Sequence, residues 1–192
     1  MKKIMFNDKC GLTQAVLDGI KTQTRRVINI PVGFELKESY HDLMTNKKEF
    51  LFENGNEKII VKPKYQIGEI VAIAQSYSTI SENNINENYK GTMGYKNKMY
   101  VKSELMPNKV LITDVNVEKI NDISYEDCFS EGIEKDDPDT LSSNLYYYKL
   151  NGYKQSFLTP VAAFMYLLDA IGGIDIWLDN KYVFAYKFEL MK

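Results

Sequence analysis

From Tyr182 to Leu190 the chain alternates without a break: Tyr182, Phe184, Tyr186, Phe188 and Leu190 are interleaved with Val183, Ala185, Lys187 and Glu189. Successive side chains of a β-strand point to opposite faces, so a strict period of two is a strand signal and does not suit a helix. Four rings on one face demand a covering layer. The alternation predicts a central or closing strand with its aromatics turned inward. Other segments read as partners for it. Ile4–Phe6 is an opening strand, and Ile70–Ala74 is apolar on both faces, as a barrel strand would be. Met99–Val101 reads as a further strand. In Val110–Ile120 the apolar positions move from even (Val110, Ile112) to odd (Val115, Val117), which predicts a β-bulge near Thr113-Asp114 or burial on both faces. Asn54-Gly55, between Glu49–Phe52 and Lys58–Val61, predicts a β-hairpin within the mixed polar stretch 36–62.

Three helices are expected. Thr13–Asp18 places Leu12 and Val16 four apart on one face, with Gly19 available as the left-handed terminal residue. Ser124 is positioned as an N-cap with Asp127 at the third helical position, predicting a helix that runs to Gly132. Thr159-Pro160 is a cap followed by proline at the first position, leading into Val161–Ile171 with Val161, Phe164, Leu168 and Ile171 on one stripe. Gly172-Gly173 ends it, Asp136-Asp137-Pro138-Asp139 breaks the chain, and Ser81–Asn88 reads as an exposed loop. The order β, α, several β, α, α, β suggests a mixed barrel-like sheet with helices at its ends. At 192 residues a single domain is expected.

Composition excludes several chemistries. The chain is 44% hydrophobic and 26% charged, an ordinary globular balance. No apolar run approaches the roughly 20 residues that span a bilayer, and Ile4-Met5-Phe6 is too short for a signal-peptide core, so a cytoplasmic protein without membrane contact is expected. Cys10 and Cys128 are the only cysteines and His41 is the only histidine, which leaves little for a zinc site or a histidine triad; no metal and no cofactor are expected. The net charge of −2 argues against a protein that coats duplexes, so any nucleic-acid contact must use one local basic edge or pocket.

Of the 24 basic residues only two are arginine, and they are adjacent, Arg25 and Arg26. A guanidinium is planar, permanently charged and able to bind bidentately, unlike an ammonium. Placing both arginines together suggests that the place needs that geometry, either for an anion or for a structural bridge to carboxylates. Lys21, Thr22 and Thr24 precede them, just beyond the helix end at Gly19. A turn there gathers N–H groups, hydroxyls, an amine and guanidinia, which makes either a solvated basic turn or a pocket for an anion or polar base.

Gly-x-Lys-Thr-x-Thr-x-Arg after a short strand and helix resembles the signature of the ASCH family, with Gly19, Lys21, Thr22, Thr24 and Arg26 matching and Arg25 in the variable slot. At average residue usages of roughly 5–7%, five such fixed positions arise by chance in about one chain in ten thousand. Gly68-Glu69-Ile70-Val71 resembles the family's turn into a barrel strand, Ile120–Gly132 its strand and helix ending in Glu-Gly, and Val183–Leu190 its closing strand. The resemblance implies an α+β fold: one PUA-like mixed β-barrel domain over 1–192, with short helices at its ends and insertions at about 31–62, 80–98 and 135–158.

It also implies function. Small ASCH proteins include an amidohydrolase that deacetylates N4-acetylcytidine with a Lys, a Thr and a Glu. These correspond to Lys21, Thr24 and Glu131, with Glu126 and Glu134 as rivals for the last. A threonine hydroxyl needs an adjacent base, and a lysine made neutral by burial and by nearby guanidinia can be that base. Thr22, Arg25 and Arg26 would then contact RNA or a modified nucleoside. An ion pair between Lys21 and Glu131 would instead keep the lysine charged and make the trio a structural bridge. Two other readings stay open: a non-catalytic reader of RNA or a modified base, with Tyr77, Tyr95 or Trp177 as stacking platforms, and a phage-encoded protein that binds a host factor through its inserted segments.

Overall fold

A computed structural model describes residues 1–135, 146–150 and 153–191. In chain order its elements are β1 (Lys3–Ile4), α1 (Leu12–Leu17), β2 (Gln23–Val27), β3 (Glu35–Asp42), β4 (Lys47–Asn54), β5 (Glu57–Val61), β6 (Ile70–Ile73), α2 (Ile85–Asn88), β7 (Lys109–Lys119), α3 (Tyr125–Ser130), β8 (Glu134–Lys135), β9 (Tyr146–Leu150), β10 (Tyr153–Phe157), α4 (Pro160–Ala170), α5 (Ile174–Leu178) and β11 (Tyr182–Met191). The main sheet has the order β1-β6-β7-β11-β2. It is mixed: β1 runs parallel to β6, and the remaining neighbours are antiparallel. Two smaller antiparallel sheets, β3-β4-β5 and β10-β9-β8, complete an α+β architecture.

β11 lies between β7 and β2, so the alternating segment is central. Its even-numbered rings meet a second aromatic layer. Phe184 packs on Phe50 with ring centroids 5.9 Å apart, Tyr182 on Phe52 at 5.0 Å, Tyr186 on Tyr65 at 5.2 Å and Phe188 on Phe6 at 5.7 Å. Val183 and Ala185, on the other face, are buried as well. The first half of β11 is thus largely covered on both sides, whereas Lys187, Glu189 and Met191 in its second half are exposed. The expected bulge is present. Lys187 pairs with Asp114 and Phe188 with Ile112, so Thr113 is the extra residue that moves the apolar set from one parity to the other.

The stretch expected to be an inserted hairpin is more than that. β4 is the middle strand of a three-stranded meander, and its Phe50 and Phe52 are part of the main core. Its partner β3 has too polar a sequence to signal a strand and lies almost wholly exposed, His41 included. Asn54 pairs with Glu57, so Gly55, at φ 58°, and Asn56 form the tip, one residue later than Asn54-Gly55.

Segment 98–100 is a 3-10 turn where a strand was expected. The Asn97 side chain accepts from the Met99 amide at 2.9 Å, which satisfies locally a donor that a sheet would have used. Ser81–Asn88 includes α2, and Ile80 and Ile85 are buried with Tyr77, Val101 and Met106 in a second small core. On α4, Phe164 and Leu168 point inward as expected, but Ala163 and Leu167 share the buried stripe and Ile171 is exposed. The Thr159 side chain accepts from the Ala162 amide at 3.1 Å. Thr159→Ala should therefore lower stability by about 1 kcal/mol, measured by urea unfolding. The Asp136-Asp137-Pro138-Asp139 break lies outside the described residues.

Among the described residues no ladder joins β1 to β2, so the main sheet is open at that seam. β1 has only two paired residues, both with β6. One side chain crosses the gap: the Arg26 guanidinium donates to the Met5 carbonyl at 2.5 Å. Among the described residues no helix is long and apolar enough to cross a membrane.

Candidate functional site

Two helix ends build the site. α1 closes through Gly19, whose φ of 75° is left-handed, and the amides of Ile20 and Lys21 both donate to the Ala15 carbonyl at 2.9 Å. That turn feeds Lys21 directly towards β2. α3 starts at Ser124, whose hydroxyl accepts from the Asp127 amide at 3.0 Å, and its terminal residue is Glu131. The Thr22 amide donates to the Ser130 carbonyl at 2.9 Å, which pins the motif turn against the end of α3. Gly132 follows in a left-handed conformation that L side chains rarely adopt. Its φ is 101°, and a Cβ there would lie 3.5 Å from the Lys21 Cβ. Gly132→Ala should lower stability by roughly 1–2 kcal/mol through backbone strain alone; unchanged unfolding in urea would contradict this.

Lys21 is 2% exposed. Its ammonium donates to the Glu131 carboxylate at 2.5 Å and to the Glu131 carbonyl at 2.8 Å. Burial pulls its pKa below the ordinary lysine value; Glu131 opposes the shift, while Arg26 and Arg25 reinforce it. Of the three acids considered, Glu131 is the buried partner. Glu126 is exposed, and Glu134 lies past the turn in β8.

Arg25, expected among the residues that contact RNA or a modified nucleoside, turns its guanidinium to three carboxylates. Nε donates to Glu118 at 2.7 Å, Nη1 to Glu131 at 3.0 Å and Nη2 to Asp127 at 2.8 Å. With its amide oxygen turned towards Arg25, Gln23 adds acceptor contacts at 3.1 and 3.0 Å and donates to Asp127 at 3.1 Å. The guanidinium carbon also lies 5.9 Å from the centre of the Phe164 ring on α4. Burial works against this charge, but Glu131, Glu118 and Asp127 together raise the Arg25 pKa. The structural-bridge alternative for one arginine thus describes the geometry of Arg25. Arg26 is exposed and has no carboxylate within salt-bridge distance among the described residues.

Lys21, Thr24, Arg25, Arg26 and Glu131 line one small cavity of about 70 Å³, closed on its apolar side by Phe6, Phe164 and Leu168. Thr24 is 5% exposed, and among the described residues its hydroxyl makes no hydrogen bond. Thr22 is exposed and does not line this cavity. Glu118, Asp127, Gln23 and Phe164 complete the site without having been singled out for it. Their one sequence signal is indirect: a buried arginine needs acceptors, and a charge within a β7 otherwise rich in Val and Ile can be one.

The stacking candidates fall elsewhere. Tyr77 is buried in the second core, where its hydroxyl accepts from the Lys102 amide at 2.8 Å. Tyr95 packs against that same core, and Trp177 packs against Phe164 at 6.4 Å. Both cysteines are buried and free. Burial raises the Cys10 thiol and pushes Cys128 up to about 12, so neither is a nucleophile near neutral pH. Among the described residues no cluster of His, Cys, Asp or Glu is arranged to hold a metal ion.

Comparison of the chain with protein-family models, with curated proteins and with solved structures finds no significant match.

Proposed function

We propose that the chain is an ASCH-type, PUA-like protein that takes RNA or a modified nucleoside and hydrolyses an N-acyl group of the N4-acetylcytidine kind. The observation that carries this reading is one cavity holding a fully buried lysine with a lowered pKa, a carboxylate in contact with it and a buried threonine whose hydroxyl makes no hydrogen bond among the described residues. Neutral Lys21 takes the proton of the Thr24 hydroxyl as its oxygen attacks the acyl carbon. The C–N bond breaks, Lys21 returns the proton to the leaving amine, and water releases the acid from the acyl-threonine. Glu131 holds the lysine in place by accepting its hydrogen bond. Ligand pockets for whole small molecules run to roughly 300–1,000 Å³. At about 70 Å³ this cavity suits an acyl group, with base and sugar outside it towards Arg26.

A second reading, a reader without chemistry, draws on the 2.5 Å contact between Lys21 and Glu131, which favours the charged lysine. Acetate release from N4-acetylcytidine by the purified chain, without added metal, separates the two. Turnover supports the hydrolase; salt-dependent RNA binding without turnover supports the reader.

A further inference from the structure

The Glu131 carboxylate serves two cations with separate oxygens. Oε2 accepts from the Lys21 ammonium at 2.5 Å and Oε1 accepts from Arg25 Nη1 at 3.0 Å. Among the described residues no other side chain is paired with it. The motif resemblance gives Arg25 no part, because Arg25 falls in the variable slot. Yet three elements fix its guanidinium. Glu118 on β7 accepts from Nε at 2.7 Å, Asp127 on α3 accepts from Nη2 at 2.8 Å, and the Phe164 ring on α4 has its centre 5.9 Å from the guanidinium carbon. The Arg25 side chain is 2% exposed, against 25% for Glu118 and 24% for Asp127.

A carboxylate beside an ammonium holds the proton on it, and does so less when a second fixed cation draws on the same carboxylate. A guanidinium does not titrate in the working range, so the claim of Arg25 on Glu131 is constant. The charged groups facing Lys21 are Glu131 at the end of α3 and Arg25 and Arg26 on β2; Phe6, Leu12 and the α4 side chains Phe164, Leu167 and Leu168 bring none. Burial lowers the Lys21 pKa, Glu131 raises it, and Arg26 and Arg25 lower it. Arg26 is exposed, donates to the Met5 carbonyl and also borders a second cavity of about 440 Å³. It makes no bond to Glu131 among the described residues, so it acts on Lys21 through space, whereas Arg25 acts through the carboxylate itself. The Cys128 thiol near Arg25, pushed up to about 12 by burial, stays neutral.

We infer that Arg25 is a positioning residue for the reaction: by holding one oxygen of Glu131 it divides that carboxylate between two cations, and so leaves Lys21 free to give up its proton and act as the base. The catalytic meaning of this role rests on the hydrolase reading, whereas the link from Arg25 through Glu131 to Lys21 is measurable without turnover. The link has a sign. Removing the charge of Arg25 leaves Glu131 wholly to Lys21 and tightens the hold on its proton. Removing the charge of Glu118 makes the guanidinium draw more on Glu131 and loosens that hold.

Two pH titrations of the full chain test it together. One follows the carbon-13 signal of the Lys21 ε-methylene in lysine-labelled protein, assigned by its loss in Lys21→Met; the other follows acetate release from N4-acetylcytidine. In Arg25→Gln both midpoints should move to higher pH by about one unit. Arg25→Lys keeps the charge, so its midpoints should stay nearer those of the natural chain even where its rate is lower. Glu118→Gln, at a partly exposed side chain, should move both midpoints to lower pH, and it decides the matter if Arg25→Gln does not fold. Glu57→Gln, the same change of charge at the exposed tip between β4 and β5, should move neither. Opposite shifts of the Lys21 signal in a chain that releases no acetate would support the link and overturn the hydrolase reading. Lower stability in Arg25→Gln and Glu118→Gln with the Lys21 midpoint unmoved would mark a purely structural bridge and overturn the proposal.

Discussion

Replacing Glu131 with alanine is expected to lower the free energy of unfolding by about 3–5 kcal/mol, the cost typical of leaving buried charge uncompensated. Two cations depend on this one carboxylate: Lys21 at 2.5 Å and Arg25 at 3.0 Å. Arg25 keeps Glu118 and Asp127, but Lys21, 2% exposed, loses the only carboxylate partner it has among the described residues. A whole domain has about 5–15 kcal/mol of stability, so a loss of this size decides whether the chain folds at growth temperature. Urea unfolding of Glu131→Ala against Glu126→Ala provides the comparison. The exposed Glu126 should matter by less than about 0.5 kcal/mol. Where Glu131→Ala fails to fold, Glu131→Gln keeps the shape and should still show a clear loss. Adding Lys21→Met to Glu131→Gln should recover stability, because it removes the cation left unpaired. A loss below about 1 kcal/mol in Glu131→Gln, with no recovery from Lys21→Met, would mean that the trio does not act as one buried electrostatic unit.

Acetate release is expected to fall by about 10³-fold or more in both Lys21→Met and Thr24→Val, and the double variant should be little worse than either. Thr24→Val removes a hydroxyl that has no hydrogen-bond partner among the described residues, so its unfolding should change little. Lys21→Met strips Glu131 of a partner and will also cost stability, so its activity must be compared at a temperature where circular dichroism shows it folded. pH gives the sharper test. The base must be neutral, and burial holds the Lys21 pKa below its ordinary value. Activity should therefore rise with pH through that lowered pKa. Between the lowered folded value and the ordinary unfolded one, the unfolded chain holds more protons, so stability should rise with pH across the same window. Activity that is flat or falls as pH rises would exclude Lys21 as the base.

Local chemistry made parts of this fold readable. The Ser124 and Thr159 caps, the left-handed Gly19 and the Thr113 bulge follow from hydrogen bonds or steric limits spanning a few residues, which a sequence displays directly. β3 went unread because its order comes from pairing with β4 and not from its own composition. Tyr77 and Trp177 could be read as ligand platforms or as core because a ring looks the same in sequence whether it faces a cavity or a core; Tyr77 lies in the second core and Trp177 packs on Phe164. Arg25 and Arg26 are adjacent and identical, yet one is enclosed by carboxylates and the other edges two cavities. Adjacent residues on a strand face opposite ways, so the pair was bound to divide.

The sequence by itself determined a central strand at 182–190, helix boundaries at Ser124 and Thr159, and a motif segment 19–26 that gathers Lys21, Thr24 and Arg26, because periodicity, capping and turn chemistry act over short separations. Only the tertiary structure decided that Glu131 meets Lys21 across 110 positions, that Arg25 takes acceptors from both β7 and α3, and that Arg26 borders the cavity that holds Lys21 and Thr24. Those contacts join residues far apart in the chain. Their partners are set by how the sheets and helices pack to bury apolar surface, a global property that no local pattern encodes.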